Sequence, residues 1–371
     1  MIITNANAFI NGKFEPNSDL VLKDGKITAI GKGLQMQGEE IKDVNGDYIL
    51  PGFVDIHIHS YMGEDTMRGE ESIRKMSRAL KKHGVCAFLP TTMSASIADT
   101  KSALADIDAV MKNQEPDGAI VLGAHVEGPF LCKNKAGAQM KEHFIMPTIE
   151  NWEAITGEYA HVVRVITLAP ELDAMPLIAH LKNLGVHVSI GHTSATAQII
   201  HEAGKVGADH ITHTFNAQTP LNHREPGVPG AALVDDAFYC EVIGDGVHLH
   251  GDIVKLILRC KGKEKYIAIT DAMEAAGMPD GKYSLGGQDV FVKDGAARLA
   301  DGTLAGSTLT MKDSFTNLIT RFGATPEQAA TVTTITPAES IDEEEVGRIE
   351  LNSPAILARF DKDFMFVESI S

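Results

Sequence analysis

The β-rich pattern at the start of the sequence ends at Pro51-Gly52, and a regular alternation of apolar runs and amphipathic stretches follows it. This alternation constrains the fold more than any other feature. Apolar runs followed by helical stretches indicate parallel strands with crossover helices, and eight such units favour a closed barrel over an open sheet. The sequence therefore predicts a TIM-like (β/α)8 barrel of the α/β class. The predicted strands are 53–59, 87–91, 120–127, 162–168, 186–192, 210–215, 239–245 and 266–271. The predicted helices are 72–83, 97–111, 175–185, 197–207, 251–260 and 310–322.

The two ends of the chain carry a different, β-rich pattern. Asn11-Gly12 and Asp24-Gly25 separate short apolar runs, and such dipeptides are hairpin signals. Strand-like runs return between residues 347 and 366. We therefore expect a small β-sandwich domain built from residues 1–50 and 336–371, with the barrel at 51–335 between its halves. The β-like stretch 281–304 is either an excursion after the eighth strand or chain that rejoins the small domain.

Composition excludes several classes of partner. The 371 residues include 33 Lys and Arg against 50 Asp and Glu, a formal net charge of −17. Such a surface repels nucleic acid and anionic lipid. No apolar stretch of about 18 residues predicts a membrane span, and the N-terminus does not resemble a secretory signal. The four cysteines are scattered without a paired motif, which predicts a reducing, cytoplasmic environment.

Residue types that bind metals recur where the predicted strands end. The segment 55–59 places two histidines two residues apart, so both lie on one face of the first strand. Carboxyl ends of barrel strands converge on one mouth, where catalytic residues sit. Imidazole and carboxylate ligands suit Zn²⁺ or Fe²⁺. A single histidine here would be read as a structural residue, but this whole set predicts a metal centre: His57, His59, Glu127, His192, His213 and Asp271.

A set of motifs in fixed order resembles the amidohydrolase superfamily and, within it, the N-acetylglucosamine-6-phosphate deacetylases. The histidine pair of the first strand marks only the superfamily. The Glu-Gly-Pro-Phe, Phe-Asn-Ala and Arg-Glu-Pro-Gly elements together point to the deacetylases. The matching segments span nearly the whole chain: 51–59, 127–130, 191–193, 213–217, 224–227, 270–273 and 304–307.

The resemblance implies a role for each residue of the centre. Glu127, His192 and His213 would hold one divalent metal, and three protein ligands with an open position are typical of a catalytic site. His57 and His59 could hold a second ion with Glu127 bridging, so one or two ions per subunit are expected. Asp271 would act first as general base and then as general acid. His248 would polarise the acetyl carbonyl and contact the substrate.

The same resemblance implies a pocket for a phosphorylated amino sugar. Arg224 offers a guanidinium fork suited to phosphate. The other expected substrate contacts are Ala138, Gln139, Asn216, Ala217, Leu304, Ala305 and Gly306. Members of this family are commonly dimers, so we expect a homodimer. We expect its ligand to be a small phosphorylated amino sugar, and we expect it to bind neither nucleic acid nor membrane.

Three readings of function remain open from the sequence. The first is hydrolysis of the acetamide of N-acetylglucosamine 6-phosphate, with N-acetylgalactosamine 6-phosphate as an alternative substrate. The second is another amidohydrolase acting on a cyclic amide or a nucleobase. The third is a barrel that binds a sugar phosphate or a metal without catalysis. Departures from the family at Gln139, Gln218 and 60–62 leave the exact sugar open, whereas Arg224 with Asn216 and Ala217 favours a phosphorylated substrate.

Overall fold

The computed structural model describes residues 1–34, 38 and 40–371. Its strands are β1 (Ile2–Ile10), β2 (Lys13–Lys23), β3 (Lys26–Gly31), β4 (Ile41–Asp43), β5 (Tyr48–Pro51), β6 (Phe53–Ile58), β7 (Ser60–Tyr61), β8 (Glu64–Asp65), β9 (Val85–Thr92), β10 (Ile120–Val121), β11 (Ala124–Glu127), β12 (Val163–Leu168), β13 (His187–Ile190), β14 (Ala208–Ile211), β15 (Tyr239–Ile243), β16 (Tyr266–Ile269), β17 (Gly281–Leu285), β18 (Gln288–Lys293), β19 (Ala296–Arg298), β20 (Leu357–Phe360) and β21 (Phe366–Ile370). Its α-helices are α1 (Glu70–Lys82), α2 (Ile97–Lys112), α3 (Ile149–Thr156), α4 (Met175–Asn183), α5 (Ala197–Val206), α6 (Gly227–Val234), α7 (Gly251–Lys261), α8 (Met311–Thr320), α9 (Pro326–Thr333) and α10 (Ile335–Glu339).

Eight parallel strands form the central barrel, in the order β6, β9, β11, β12, β13, β14, β15 and β16. A parallel bridge between Ile58 and Ala272 joins the end of the last strand to the first. Apolar side chains of the strands and of the surrounding helices form one large buried cluster. The predicted (β/α)8 barrel is thereby confirmed, and its parallel order places all eight carboxyl ends at one mouth.

Three of the predicted crossover helices begin at a side-chain cap. The hydroxyls of Ser96, Thr196 and Thr310 accept hydrogen bonds from the backbone three residues on, at the starts of α2, α5 and α8. The sequence analysis did not predict α3, α6, α9 or α10. Helix α6 contains a proline and two glycines and is buried over most of its length. Tertiary packing against α5 and α7 therefore outweighs its poor helix propensity.

Both chain termini build the smaller domain, as predicted. Hydrogen bonds join seven strands into one mixed sheet, with the path β21-β20-β5-β1-β2-β3 and β4 paired to β1. Asn11 and Gly12 both have positive φ (51° and 77°), the conformation of a tight hairpin turn between β1 and β2. The core of this sheet is apolar and includes Ile3, Leu20 and Leu357. The exact domain boundaries stay predictions.

The β-like stretch that the sequence left open is an excursion after the eighth strand. Strands β17, β18 and β19 form a separate antiparallel sheet, which we call the three-stranded insertion (residues 281–298). Its apolar face packs on Met93, Met273 and Ala305 near the barrel mouth. The Gln288 side-chain amide donates to the carbonyl of Ala138 at 2.6 Å. The insertion therefore forms one wall beside the carboxyl ends of the strands.

Several barrel strands are shorter than predicted. The predicted strand 120–127 divides into β10 and β11 around Gly123, whose φ is 149°. A Cβ at Gly123 would lie 2.7 Å from the carbonyl oxygen of Val162, so only glycine fits there. Strands β13 and β14 end at Ile190 and Ile211 rather than at 192 and 215. Among the described residues, no helix is both long and apolar enough to cross a membrane.

Candidate metal centre and active site

Glu127, the last residue of β11, lies at the centre of the histidine cluster at the barrel mouth. Its Oε1 is 3.1 Å from Nε2 of His192 and 3.1 Å from Nε2 of His213. The two Nε2 atoms are themselves 3.0 Å apart. All three side chains are buried. Glu127 ends β11, while His192 and His213 follow β13 and β14, so the barrel gathers the three residues as the sequence predicts.

The histidine pair of the first strand meets the same carboxylate from the other side. Nε2 of His59 lies 3.2 Å from Oε2 of Glu127, and Nε2 of His57 lies 3.6 Å from Oε1. Two groups of potential ligands thus share Glu127: one with His192 and His213, and one with His57 and His59. Each of the two groups could hold a divalent ion, and Glu127 is common to both.

Hydrogen bonds at the far side of three imidazoles fix which nitrogen faces Glu127. Nδ1 of His192 contacts the carbonyl of Lys135 at 2.8 Å, and Nδ1 of His59 contacts the carbonyl of Thr91 at 3.2 Å. Nδ1 of His57 contacts a carboxylate oxygen of Glu241 at 2.9 Å. Because these oxygens accept hydrogen bonds, we assign the proton to Nδ1 and a lone pair to Nε2.

This set of donor atoms fits a cation. With Nδ1 protonated, the Nε2 lone pairs converge on a carboxylate that can only accept. Nε2 of His57 is buried and has no hydrogen-bond partner within the described part of the chain. A buried acceptor without a partner is costly, and a divalent ion bound by imidazole and carboxylate satisfies it. The cluster is therefore suited to divalent metal.

Three residues of the mouth adopt left-handed backbone conformations. φ is +47° at His192, +28° at His213 and +49° at Asp271. Such conformations cost about 1–3 kcal/mol each and persist only where the surroundings hold them. The backbone N–H of His213 donates to Glu241 Oε2 at 3.2 Å, and that of Asp271 donates to the carbonyl of His57 at 2.9 Å. The strain explains why β13 and β14 end before these residues, and sequence patterns gave no sign of it.

Asp271 directs its carboxylate at the same centre. Its Oδ1 is 3.2 Å from Nε2 of His59 and 3.5 Å from Nε2 of His57. Burial alone would raise the pKa of Asp271, but His59 and His57, when protonated, lower it below the ordinary value through a hydrogen bond and a positive charge. Likewise, burial opposes ionisation of Glu127, yet the positive charges of His57 and His192, when these rings are protonated, hold its pKa well below the usual range. A cation bound in place of those protons would act on both carboxyls in the same direction. Both groups are therefore carboxylates near neutral pH.

A cavity of about 330 Å³ opens from the metal ligands toward solvent. A cavity of this size accommodates a small ligand. Of the predicted substrate-binding residues, most line it: Ala138, Gln139, Asn216, Ala217, His248, Leu304 and Gly306. Ala305 is fully buried behind the cavity in the apolar cluster of the three-stranded insertion. Arg224 is exposed and does not line the cavity, so the structure does not bring it to the centre within one chain.

His248 is held at the cavity by its own loop. Its Nδ1 donates to Oδ2 of Asp245 at 2.7 Å, and its backbone N–H donates to Oδ1 of the same carboxylate at 2.9 Å. Burial would lower the pKa of His248, but the hydrogen bond and charge of Asp245 outweigh it, so that the pKa is raised. The imidazole is therefore a good hydrogen-bond donor toward the cavity.

Gln139 contacts the metal ligand as well as the cavity. Its amide nitrogen donates to Oε2 of Glu127 at 2.5 Å, while its amide oxygen accepts from the backbone N–H of Ser94 at 2.8 Å. The sequence analysis assigned Gln139 to the substrate. The structure places it against Glu127, and its contact with substrate stays a prediction.

Comparison with known proteins identifies the family of this chain. Residues 48–370 match the amidohydrolase family. The chain belongs to the amidohydrolase family. This confirms the resemblance drawn from the motifs, and the hydrolase class that it implies.

The relatives of this amidohydrolase include deacetylases of two sugar phosphates. It is 38% identical to N-acetylglucosamine-6-phosphate deacetylase of Lysinibacillus sphaericus, over 92% of this chain and 88% of the relative. It is 36% identical to N-acetylgalactosamine-6-phosphate deacetylase of Escherichia coli O157:H7, over 87% and 84% of the two chains. A solved structure of a Mycobacterium smegmatis N-acetyl-D-glucosamine-6-phosphate deacetylase mutant, in complex with N-acetyl-D-glucosamine-6-phosphate, aligns with a TM-score of 0.92. The two are 28% identical, and the alignment covers all of this chain and 97% of that one.

Several residues around the centre of this amidohydrolase were missed by sequence reasoning. Asp55 accepts hydrogen bonds from the backbone and the hydroxyl of Thr270, which ties the first strand to the last beside Asp271. Burial raises the pKa of Asp55 to about 7. Glu241 supports His57 from below. Further lining residues are Met93, Asn134, Lys135, Leu285 and Thr303. Only Asp55 carried a signal, since it opens the 55–59 motif.

Proposed function

We propose that this amidohydrolase is a metal-dependent deacetylase. It would hydrolyse the acetamide of N-acetyl-D-glucosamine 6-phosphate to D-glucosamine 6-phosphate and acetate. The observation that carries the proposal is one cavity lined by Glu127, His192, His213, His248 and Asp271, in a chain whose relatives include deacetylases of this substrate. These residues together supply metal ligands, a proton carrier and a carbonyl-facing donor.

The ligand set would hold one or two divalent ions. Glu127, His192 and His213 would bind the first ion, and His57 and His59 with Glu127 would bind the second. Nitrogen and oxygen donors of this kind suit zinc or iron. A divalent ion bound there acidifies water enough for it to attack near neutral pH and polarises the carbonyl oxygen.

Asp271 is the residue placed to move the proton. Its carboxylate faces the ligand cluster and the cavity at once. It would accept a proton from the water that attacks the acetyl carbonyl carbon. When the carbon–nitrogen bond breaks, the same carboxyl would give that proton to the leaving amine nitrogen. One carboxylate can therefore serve as general base and then general acid.

His248 and the cavity walls would position the amide. A hydrogen bond from the imidazole of His248 to the acetyl carbonyl oxygen would stabilise the negative charge that develops on that oxygen. Leu285 of the three-stranded insertion and Met93 cover one side of the cavity with apolar surface. This surface would limit the access of bulk water to the reacting atoms.

The sugar phosphate would lie against the loops that line the cavity. Asn216, Ala217 and Ala138 would contact it on one side, with Leu304, Ala305 and Gly306 shaping the other. Arg224 is proposed as a phosphate contact from sequence alone, since it lies outside the cavity of a single chain. A cytoplasmic homodimer remains our expectation for the assembled enzyme. The four cysteines are free.

Acetate release from a substrate panel tests this function. Metal-replete protein would be assayed with N-acetylglucosamine 6-phosphate, N-acetylgalactosamine 6-phosphate and unphosphorylated N-acetylglucosamine, before and after chelation. We expect the highest kcat/KM on the first substrate, loss of release with chelator and recovery on adding zinc back. No release from either phosphorylated sugar in the metal-replete protein would overturn the proposal. Preference for the galactosamine compound would correct the substrate.

A further inference from the structure

Glu241 lies fully buried beneath the metal centre and contacts both halves of it. It is in the middle of β15, and none of its surface is exposed. Its Oε2 accepts from Nδ1 of His57 at 2.9 Å and from the backbone N–H of His213 at 3.2 Å. One oxygen atom therefore joins a residue of each ligand group. Neither the sequence motifs nor the proposed mechanism uses Glu241.

The contact with His57 decides which nitrogen that ring offers. A neutral imidazole carries one proton, and a carboxylate on Nδ1 retains it there. Nε2 of His57 is then a lone-pair donor 3.6 Å from Oε1 of Glu127. Partners of this kind, behind a ligand, orient the ring and raise its basicity. Four of the proposed ligands are histidines. Among them, His57 is the one for which the described residues place a side-chain carboxylate behind the ring. The others rely on backbone carbonyls where a partner is described.

We infer that Glu241 is a positioning residue for the His57 side of the centre, required for tight binding of a second divalent ion there. The inference deepens the proposed function, because it concerns the same site. The ion held by Glu127, His192 and His213 depends on Glu241 through one backbone hydrogen bond, from the N–H of His213, which a glutamine at position 241 could still accept. Its ligands keep their own anchors, such as the bond from His192 to the Lys135 carbonyl.

The competing reading is a purely structural one. A protonated His57 held between Glu241 and Glu127 would fill the space with a positive charge of its own, and no second ion would bind. The two readings predict different numbers of bound ions, so the stoichiometry of ion binding separates them without any use of substrate.

Zinc titration of the chelator-stripped full-length protein tests the inference. Isothermal calorimetry and elemental analysis after gel filtration would give the number of bound ions and their affinities. We expect two ions in the unaltered protein. In Glu241→Gln the amide oxygen can still accept both N–H groups, so the fold is kept while the negative charge is lost. We expect one tight ion and a second weakened about 10- to 100-fold. Glu241→Leu, which removes the acceptor, should lose the second ion.

Matched variants identify the route of the effect. Glu274→Gln alters another buried carboxylate, which pairs with Arg68 and with the backbone of Ser284, outside the ligand cluster. It should bind two ions as the unaltered protein does. His57→Gln should lose the second ion, and adding Glu241→Gln to it should cause no further loss, because Glu241 acts through His57.

Three results would overturn the inference. They are one ion in the unaltered protein, two ions of unchanged affinity in Glu241→Gln, or equal weakening of both ions. The last would indicate general damage to the site. None of them bears on acetate release, so failure of the positioning role and failure of the deacetylase proposal are told apart.

Discussion

Strands β13 and β14 carry a histidine and carboxylate cluster at each end, and the two clusters differ in how their polar atoms are satisfied. At the carboxyl ends, His192 and His213 direct Nε2 atoms 3.0 Å apart at Glu127. At the opposite ends, His187 and His210 each direct Nδ1 at a different oxygen of Asp209, both at 2.7 Å. Both groups have the composition and spacing of a metal site.

The difference is in pairing rather than in residue type. In the second cluster each Nδ1–H has a carboxylate oxygen to itself, and Nε2 of His187 also faces Asp342 at 3.3 Å. In the first, lone pairs converge on an acceptor and need a cation between them. Catalytic residues of a barrel lie at the carboxyl end, while the amino end serves stability. Nε2 of His210 in the second cluster is also buried without a described partner, so neither ligand composition nor an unsatisfied nitrogen identifies a metal centre, whereas lone pairs that converge on one carboxylate do.

The largest effect on activity is expected from substitution of Asp271. This substitution tests whether the Asp271 carboxylate is catalytic or only structural. Asp271→Asn keeps the size of the side chain but cannot accept and return a proton. We expect kcat on N-acetylglucosamine 6-phosphate to fall about 10²- to 10⁴-fold. Bound metal, measured by elemental analysis, should stay near the unaltered level. A near-normal kcat would remove Asp271 from the role of proton carrier.

The barrel, and the meeting of its strand ends at one mouth, could be predicted from the sequence. The alternation of strand-like and helical segments and the metal-binding residue types at the strand ends are both visible in short stretches of sequence. His192, His213 and Glu127 are far apart in the chain, yet parallel strands bring any such ends together. The terminal β domain could be predicted for a similar reason, because Asn11-Gly12 between short apolar runs is a strong signal for a tight β-hairpin turn.

The contacts that support the ligands were not accessible. Glu241 lies in an apolar strand like any other, and only the closed barrel brings it beneath His57. The left-handed backbone at His213 is held by the hydrogen bond from its N–H to Glu241. Because that bond joins residues far apart in the chain, local residue propensities do not predict it. Helix α6, with its proline and glycines, is held by burial. Arg224 shows that a suitable side chain at a family motif does not by itself lie in the cavity of one chain, and its contact with phosphate stays a prediction.

The next largest effect comes from a matched pair of substitutions at the two ends of β13. His192→Ala removes a proposed ligand, and His187→Ala removes one member of the amino-end cluster of His187, Asp209 and His210. For His192→Ala we expect zinc affinity to fall by at least about 100-fold, more than for a supporting residue, with loss of acetate release. His187→Ala should keep its metal and its kcat. Metal loss in both variants would mean that the two clusters do not differ as their hydrogen bonding indicates.

The smallest effect is a pH dependence of stability from the amino-end cluster. Burial would lower the pKa of His187, but its hydrogen bond with Asp209 raises it above the ordinary value. Burial would likewise raise the pKa of Asp209, but His210 and His187 lower it. A raised histidine pKa stabilises the fold below the unfolded value of about 6.5, and this contribution is lost as pH rises through the folded pKa. A lowered aspartate pKa stabilises above about 3.9 and is lost at lower pH.

The pair should therefore stabilise the protein most between about pH 4 and 6.5. His187→Gln should cost about 1.5 kcal/mol in the free energy of unfolding at pH 6, as expected for a hydrogen bond to a charged group. The cost should shrink toward pH 9, as His187 loses its proton in the unaltered protein. Thermal unfolding of both proteins across pH 5–9 measures this, with His223→Gln as the control, since His223 is exposed in a loop away from this cluster. A constant difference across that range would show that His187 acts by packing alone, and the contrast between the two clusters would then rest on the cluster around Glu127.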